Sequence, residues 1–255
     1  MRVAGLLDED HRCFFADAAA ARWGRDHAVF VRSSASHVFR AVDLVLRMAP
    51  LGSPQAAAVA RSATTAQVLA AAGAPVPSSV ASLNGLLVEE VDGMVVTALP
   101  VVAGTTYDDD ELTADLARLW GRTLARFHET GYVHGDPEPD NLVVDDRTAT
   151  FVDLDDAEPG EAVGDLAFAL RAWTPDGGSP DLSDEIPAAF LSGYLEVRDV
   201  DLDRLPSATH AVALRTLASY EVHAATSADP DWPDWALRLH ATVTAREQAL
   251  RVALG

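Results

Sequence analysis

The chain has 255 residues, of which 49% are apolar, and these figures fit one large or two-lobed water-soluble globular protein. Its formal net charge of −20 excludes nucleic acid as an expected partner, because an acidic surface repels phosphates. Cys13 is the one cysteine, so no intramolecular disulfide can form, and no apolar run approaches the ~20 residues that cross a bilayer. The start, MRVAGLLDEDHR, has no basic leader or apolar export segment, so we expect a cytoplasmic protein without membrane association.

The first hundred residues predict a small mixed lobe. Its elements, in chain order, are an amphipathic helix at about 9–23, β-rich segments at about 28–32 and 37–47, an alanine-rich helix at 55–72, and strands at 85–91 and 94–99. Gly73 is expected to close the alanine-rich helix, and Asp92-Gly93 is typical of a hairpin turn between the last two strands. Residues 100–104 are expected to form a short hinge.

The remainder of the chain is predicted to be mainly helical. The elements are a helix at 111–130, a loop-rich segment with short strands at 132–156, and helices at 163–173, 183–197, 208–226 and 235–254. The acids at 108–110 can cap the first of these helices, which Gly131 ends. The sequence therefore predicts an α+β protein, with an N-terminal lobe and hinge at 1–103 and a C-terminal lobe at 104–255.

One stretch carries the residues expected for chemistry. HGDPEPDN at 134–141 is followed by an apolar strand, a turn and then TFVDLDD at 150–156. Two short strands joined by a turn would bring Asn141 and Asp153 close together, and a carboxylate with an amide oxygen suits a hard divalent cation. Asp136 lies on the loop just before Asn141, where it could orient an acceptor hydroxyl and receive its proton.

This motif carries a family resemblance. HGDxxxxN followed by a strand that ends in aspartate resembles the catalytic and metal-binding segments of aminoglycoside phosphotransferases, a branch of the protein-kinase-like superfamily. The longer string FVDLDDAEPGEAVGDLAFAL is similar to bacterial stress-response kinases and small-metabolite kinases, and the resemblance covers roughly residues 28–175. It implies a two-lobed protein-kinase-like fold, with a small β-rich N-terminal lobe, a larger helical C-terminal lobe and the active site between them.

The resemblance also implies roles for individual residues. Asp136 would be the catalytic aspartate, and Asn141 and Asp153 would bind Mg²⁺. His134 would hold the catalytic loop as a scaffold, and Asp165 would brace that loop by accepting its backbone hydrogen bonds. ATP is the expected phosphoryl donor, with GTP as an alternative.

Nucleotide-binding residues are expected in the N-terminal lobe. The phosphate-covering loop would include Ser34 and Ser36, in a segment that has serines but no glycine. Arg47 stands where kinases usually place the lysine that contacts the phosphates; the chain has no lysine at all, and arginine can make such contacts bidentately. Leu99 and Val101 in the hinge would offer backbone groups to the adenine, or would simply belong to the core.

An acidic partner for Arg47 is missing from its expected place. Helix 55–72, with Ser62 near its middle, contains no acid, whereas kinases use a glutamate there. Either Glu89 or Glu90 approaches Arg47 instead, or the nucleotide itself positions the arginine.

The expected activity is transfer of the γ-phosphoryl group of a nucleoside triphosphate to the hydroxyl of a small molecule. Asp155 and Asp156 could assist the metal, but we expect them to be solvated. The acceptor could be cationic, because many acids follow residue 173: Asp176, Asp181, Asp184, Glu185, Glu221, Asp229, Asp231 and Asp234. Two alternatives stay open. The missing glycines and glutamate favour a regulatory pseudokinase, and the FVDLDDA string favours a stress-response-type protein Ser/Thr kinase.

Overall fold

The computed structural model describes residues 12–33, 36–146, 148–174, 180–224 and 234–254. The chain divides into two compact units, which we call unit 1 (residues 1–107 and 140–157) and unit 2 (residues 108–139 and 158–255). The chain first passes from unit 1 to unit 2 after residue 107, and the sequence had predicted the boundary between its lobes at residue 103. Residues 140–157 then return to unit 1, so residues 134–139 of the string HGDxxxxN belong to unit 2 and residues 140–141 belong to unit 1.

The strands are, in chain order, β1 (Val29–Ser33), β2 (His37–Ala41), β3 (Leu44–Pro50), β4 (Val88–Val91), β5 (Met94–Pro100), β6 (Tyr132–Val133), β7 (Leu142–Asp145), β8 (Thr148–Phe151) and β9 (Glu158–Pro159). The α-helices are α1 (Arg12–Ala21), α2 (Pro54–Ala71), α3 (Ala114–His128), α4 (Ala162–Ala169), α5 (Glu185–Leu195), α6 (Leu205–Ala224) and α7 (Asp234–Leu254). The α+β class is confirmed, with a sheet early in the chain and helices late in it.

Unit 1 contains a five-stranded antiparallel sheet in the order β1-β2-β3-β5-β4. The predicted hairpin at Asp92-Gly93 is confirmed, because both residues adopt the left-handed backbone that a two-residue turn requires, with φ of 49° and 78°. A buried cluster joins α1 to the sheet and includes Ala16, Ala19, Ala20, Phe39, Leu46 and Val96. A second cluster joins α2 to β3 and β5 through Ala49, Ala56, Val59 and Val95.

Unit 2 contains a closely packed helix pair, α3 and α5. The rings of Trp120 and Phe190 lie 4.3 Å apart between them. Gly121 and Gly193 allow this approach: a Cβ at Gly121 would lie 2.0 Å from the carbonyl oxygen of Phe190, and one at Gly193 would lie 2.1 Å from that of Arg118. A larger residue at either glycine would force the two helices apart.

Some predicted helix boundaries shift. The acids at 108–110 do not cap α3, because they belong to a short 3-10 turn, and Thr113 caps α3 by accepting from the N–H of Leu116. The predicted helix 163–173 ends as α4 at Ala169 and continues as a 3-10 turn. The predicted helix start at residue 9 and the helix end at residue 226 lie outside the described residues. In the described part of the chain, no helix is both long and apolar enough to cross a membrane.

Candidate active site

The loop that follows β6 in unit 2 is held by a buried carboxylate. Asp165, in the first turn of α4, accepts hydrogen bonds from the N–H of His134 at 2.6 Å and from the N–H of Gly135 at 3.0 Å. Gly135 has φ of 83°, a conformation that favours glycine and turns its N–H toward the same carboxylate. Asp165 is only 3% exposed, so these charge-assisted bonds act in a dry environment. The predicted brace of the loop is present.

Two further residues extend this brace, and sequence reasoning did not identify either. His128, at the end of α3, lies 3.0 Å through Nε2 from Asp165 and 2.9 Å through Nδ1 from the hydroxyl of Tyr194 on α5. Burial raises the pKa of Tyr194 to about 12, so its phenol stays protonated and can donate to Nδ1. Nε2–H then donates to the carboxylate of Asp165. The sequence feature that could have pointed to His128 is a polar residue on the buried face of α3.

Asp136 lies half-buried within the same restrained loop. The residue after it, Pro137, accepts a hydrogen bond from the indole N–H of Trp120 at 3.0 Å. Glu138 forms an ion pair with Arg171. The backbone is therefore held by hydrogen bonds immediately before and after Asp136.

In unit 1, the β7–β8 hairpin brings Asn141 and Asp153 together as the sequence predicted. Leu142 pairs with Phe151, and the N–H of Val152 donates to the carbonyl of Asn141 at 2.9 Å. Asn141 is buried, and Asp153 has φ of 61°, a conformation that costs a non-glycine residue energy and is often found at functional sites.

Arg47 on β3 meets two acids in this region. Its Nη1 and Nη2 donate to the two carboxylate oxygens of Asp155 at 2.7 and 2.6 Å, and Nη2 lies 3.4 Å from Oδ1 of Asp153. Burial alone would lower the pKa of Arg47, but these acids raise it, so the guanidinium stays charged. Burial alone would likewise raise the pKa of Asp155, but Arg47 outweighs that effect and holds it below its usual value.

These contacts correct two predictions. Glu89 does not approach Arg47, because its carboxylate accepts hydrogen bonds from Ser82 and Asn84, and Glu90 is exposed on the neighbouring position of β4. The expectation that Asp155 is solvated was wrong, since Asp155 is the carboxylate partner of Arg47. Asp156, by contrast, is exposed as expected.

The residues present fit a magnesium ion in company with nucleotide phosphates. Oδ1 of Asp153 is enclosed and, among the described residues, accepts no hydrogen bond, although Arg47 is nearby. Asp153 and Asn141 carry side-chain oxygens, the kind of ligand that Mg²⁺ prefers. No group of three or more His, Cys, Asp or Glu side chains that could hold a metal occurs among the residues that the structure describes. Phosphate and water oxygens would have to complete the coordination, as is usual for Mg²⁺.

The other predicted nucleotide residues have mixed placements. Ser34 lies outside the described residues. Ser36 is buried, with its hydroxyl 3.3 Å from Nη2 of Arg47. Leu99 pairs with Val45 within the sheet, and the N–H of Val101 donates to the carbonyl of Asp43 at 2.8 Å. An adenine at Val101 would therefore have to use its carbonyl, and the roles of Leu99 and Val101 stay predictions.

Comparisons with known proteins identify the family. The family model described as "Phosphotransferase enzyme family" matches residues 17–132 and 128–205. An amicoumacin kinase, solved with AMP-PNP, Ca²⁺ and Ami, is similar with 14% identity, a TM-score of 0.69 and 90% coverage of both chains. A microcompartment-associated aminopropanol kinase has 18% identity and a TM-score of 0.66, covering 92% of this chain and 94% of its own.

An aminoglycoside phosphotransferase from Alicyclobacillus acidocaldarius has 13% identity and a TM-score of 0.61, covering 99% of this chain and 97% of its own. A search of curated proteins found no match. The structural likenesses confirm the predicted fold, and the family match covers well over half of the sequence. The chain therefore belongs to the phosphotransferase enzyme family and has the protein-kinase-like fold of its aminoglycoside and small-molecule kinases.

Proposed function

We propose that this protein transfers the γ-phosphoryl group of MgATP to a hydroxyl of a small molecule. One observation carries the proposal: a buried arginine on β3 lies 3.4 Å from the carboxylate of Asp153, beside the hairpin that also positions Asn141. A fixed cation next to oxygen ligands suits a metal-bound polyphosphate. Family membership and the similar kinases, one of which was solved with AMP-PNP, support the same activity.

The residues of unit 1 would bind the nucleotide. Arg47 would contact the phosphates, and Ser34 and Ser36 would lie beside them. Asn141 and Asp153 would hold Mg²⁺, which supplies neutralisation of phosphate charge when it is bound. A cytoplasmic location, where MgATP is available, belongs to this proposal.

Asp136 would be the catalytic residue. Its carboxylate would orient the acceptor hydroxyl and receive its proton as the hydroxyl oxygen bonds to the γ-phosphorus, while the bond from that phosphorus to the bridging oxygen breaks and ADP leaves. The hydrogen bonds of the neighbouring backbone to Asp165 and of Pro137 to Trp120 support this role, because they hold the loop in place before the substrate arrives.

The acids that suggested a cationic acceptor have mixed placements. Three of the acids that suggested a cationic acceptor are used elsewhere: Asp181 accepts from Ser183, Asp184 caps α5, and Glu221 pairs with Arg251. Asp176, Asp229 and Asp231 lie outside the described residues. We therefore propose a small hydroxylated acceptor. The compounds of the screen include both cationic and neutral acceptors, so the screen determines the preferred charge.

A phosphate-transfer screen tests the function. The protein is incubated with MgATP, and in parallel with MgGTP, and with aminoglycosides, amino alcohols, neutral sugars or a generic protein substrate. We expect acceptor-dependent ADP release with at least one small hydroxylated compound. Asp136→Asn should bind MgATP in a thermal-shift assay yet lose at least ~10²-fold in kcat.

The other outcomes separate the alternatives. MgATP binding without transfer to any acceptor would support a regulatory pseudokinase. Transfer to the protein substrate alone would support a protein kinase. Near-normal turnover by Asp136→Asn would refute the role of Asp136 and leave the activity itself intact.

A further inference from the structure

The carboxylate of Asp155 has no assigned task in the reaction described above, although it makes the shortest contacts in the cluster. We propose that Asp155 is the positioning residue for Arg47: it fixes the guanidinium for the nucleotide phosphates, in place of the acid that helix α2 lacks. This inference rests on the proposed function, because it assumes that Arg47 binds phosphate.

The geometry of the pair is the first support. Two parallel hydrogen bonds of 2.7 and 2.6 Å join both terminal nitrogens of Arg47 to both carboxylate oxygens of Asp155. A fork of this kind fixes the plane of the guanidinium as well as its position. Arg47 is only 8% exposed, and a buried cation without a carboxylate partner would be strongly unfavourable.

Helix α2 gives the second, independent support. Its sequence, PQAAAVARSATTAQVLAA, contains no acid. The α2 residue that does face Arg47 is Ser62, which is buried and has its hydroxyl 3.4 Å from Nη1. A serine hydroxyl donates one hydrogen bond and can accept two, but it carries no charge and cannot neutralise the arginine. The negative charge at this point therefore has to come from another element, and the segment after β8 supplies it.

The two acids of this segment, Asp153 and Asp155, make different contacts. Asp155 pairs with both terminal nitrogens of Arg47, whereas Asp153 makes a single longer approach of 3.4 Å to Nη2. Asp153 thus keeps an enclosed oxygen for a metal while Asp155 holds the cation. Because Leu154 is the one residue between Asp153 and Asp155, the arginine and the metal ligand are positioned by one short piece of backbone, and a shift of that piece would displace both.

An exchange of two side chains tests this assignment. Asp155→Ser should raise the Kd for MgATP at least ~10-fold, because Arg47 loses its fixed orientation. Ser62→Asp combined with Asp155→Ser moves the carboxylate onto α2 without changing composition or charge. Since Ser62 already lies beside Nη1, this exchange variant should recover most of the lost affinity. Asp146→Asn, an exposed acid in the turn of the same hairpin, is the matched control and should bind like the parent.

The measurements are the Kd for MgATP by calorimetry, the KM values for MgATP and acceptor, and the midpoint of thermal unfolding. If Asp155→Ser fails to fold, Asp155→Asn, which preserves volume, replaces it. The proposal holds if the Kd and the KM for MgATP rise while the acceptor KM changes less, and if the exchange variant reverses the rise. It is wrong if MgATP affinity is unchanged in both Asp155 variants, or if the exchange variant restores only the thermal midpoint.

The design separates this proposal from the proposed function. A parent protein that binds MgATP but transfers phosphate to nothing would overturn the phosphotransferase function, while the affinities of the variants would still decide the role of Asp155. A parent protein that does not bind MgATP at all would overturn both.

Discussion

Two aspartates, one in each unit, hold candidate functional residues of their own unit in different ways. Asp165 in unit 2 accepts hydrogen bonds from two backbone N–H groups and lies beside His128. Asp155 in unit 1 pairs with a guanidinium. The side chain of Asp165 is 4% exposed, whereas that of Asp155 is 22% exposed.

The two aspartates therefore differ in role: Asp165 holds its loop permanently, whereas the partner of Asp155 would also bind a substrate. The donors that face Asp165 are two backbone N–H groups of the loop and the Nε2–H of His128, and none of them is proposed to contact a substrate. Arg47, in contrast, would be shared between Asp155 and the phosphates of a nucleotide. We therefore expect substitutions around Asp165 to act mainly on folding stability and substitutions around Arg47 to act mainly on nucleotide affinity.

The largest effect is expected from Asp165→Ala. It leaves the N–H groups of His134 and Gly135 buried without their acceptor, and each such group costs roughly 1–3 kcal/mol, so the free energy of unfolding should fall by about 3 kcal/mol or more. Urea denaturation measures this change in the free energy of unfolding. Asp165→Asn, which keeps one acceptor oxygen, is the graded control and should lose less. Equal stability of Asp165→Ala and the parent would contradict the brace.

The second-largest effect is expected from Asp153→Ala, which changes the binding of the metal. Removing the single proposed carboxylate ligand should abolish the dependence of nucleotide binding on Mg²⁺, a loss of roughly 10²-fold in the affinity measured with the metal present. Titrations of ATP with and without Mg²⁺ by calorimetry report it. Asp145→Ala, an exposed acid of the same hairpin, should titrate like the parent. An unchanged Mg²⁺ dependence in Asp153→Ala would refute the ligand assignment.

A smaller change is expected at Arg47. Arg47→Met should weaken MgATP binding roughly tenfold, and Arg47→Lys should weaken it less, because the charge survives while the fork geometry does not. Arg40→Met, on an exposed position of β2, removes an arginine without touching the cluster. If both Arg47 variants bind MgATP as the parent does, the arginine is only a structural residue of β3.

The candidate site was predictable where its signal is local. HGDxxxxN and the strand pair after it place Asn141 and Asp153 together because a hairpin relates residues close in sequence, and the pairing of Leu142 with Phe151 bears this out. Asp136 and Asp165 followed from the same string and its family resemblance. The α+β class followed from hydrophobic periodicity and from the turn at Asp92-Gly93.

The remaining contacts depend on tertiary structure. Asp155 and Arg47 are 108 positions apart, and no local pattern relates a residue on β3 to one in the segment after β8. His128 and Tyr194 are 66 positions apart on two helices. Helical periodicity can assign residues to a buried face but cannot show which residues of two helices face each other.

The smallest effect is expected at the far end of the brace, in Tyr194→Phe. Its high pKa, caused first by burial, keeps the hydroxyl protonated, so it donates to Nδ1 of His128 and leaves Nε2–H to donate to Asp165. Removing one such neutral hydrogen bond while filling the same volume should lower the free energy of unfolding by about 1 kcal/mol. Tyr220→Phe on α6 is the control, because Tyr220 is half-buried and takes no part in this chain of hydrogen bonds. Urea denaturation should therefore separate the two variants, with kcat little changed in either, since the direct bonds from the loop to Asp165 survive. A Tyr194→Phe protein as stable as Tyr220→Phe would show that the brace ends at His128.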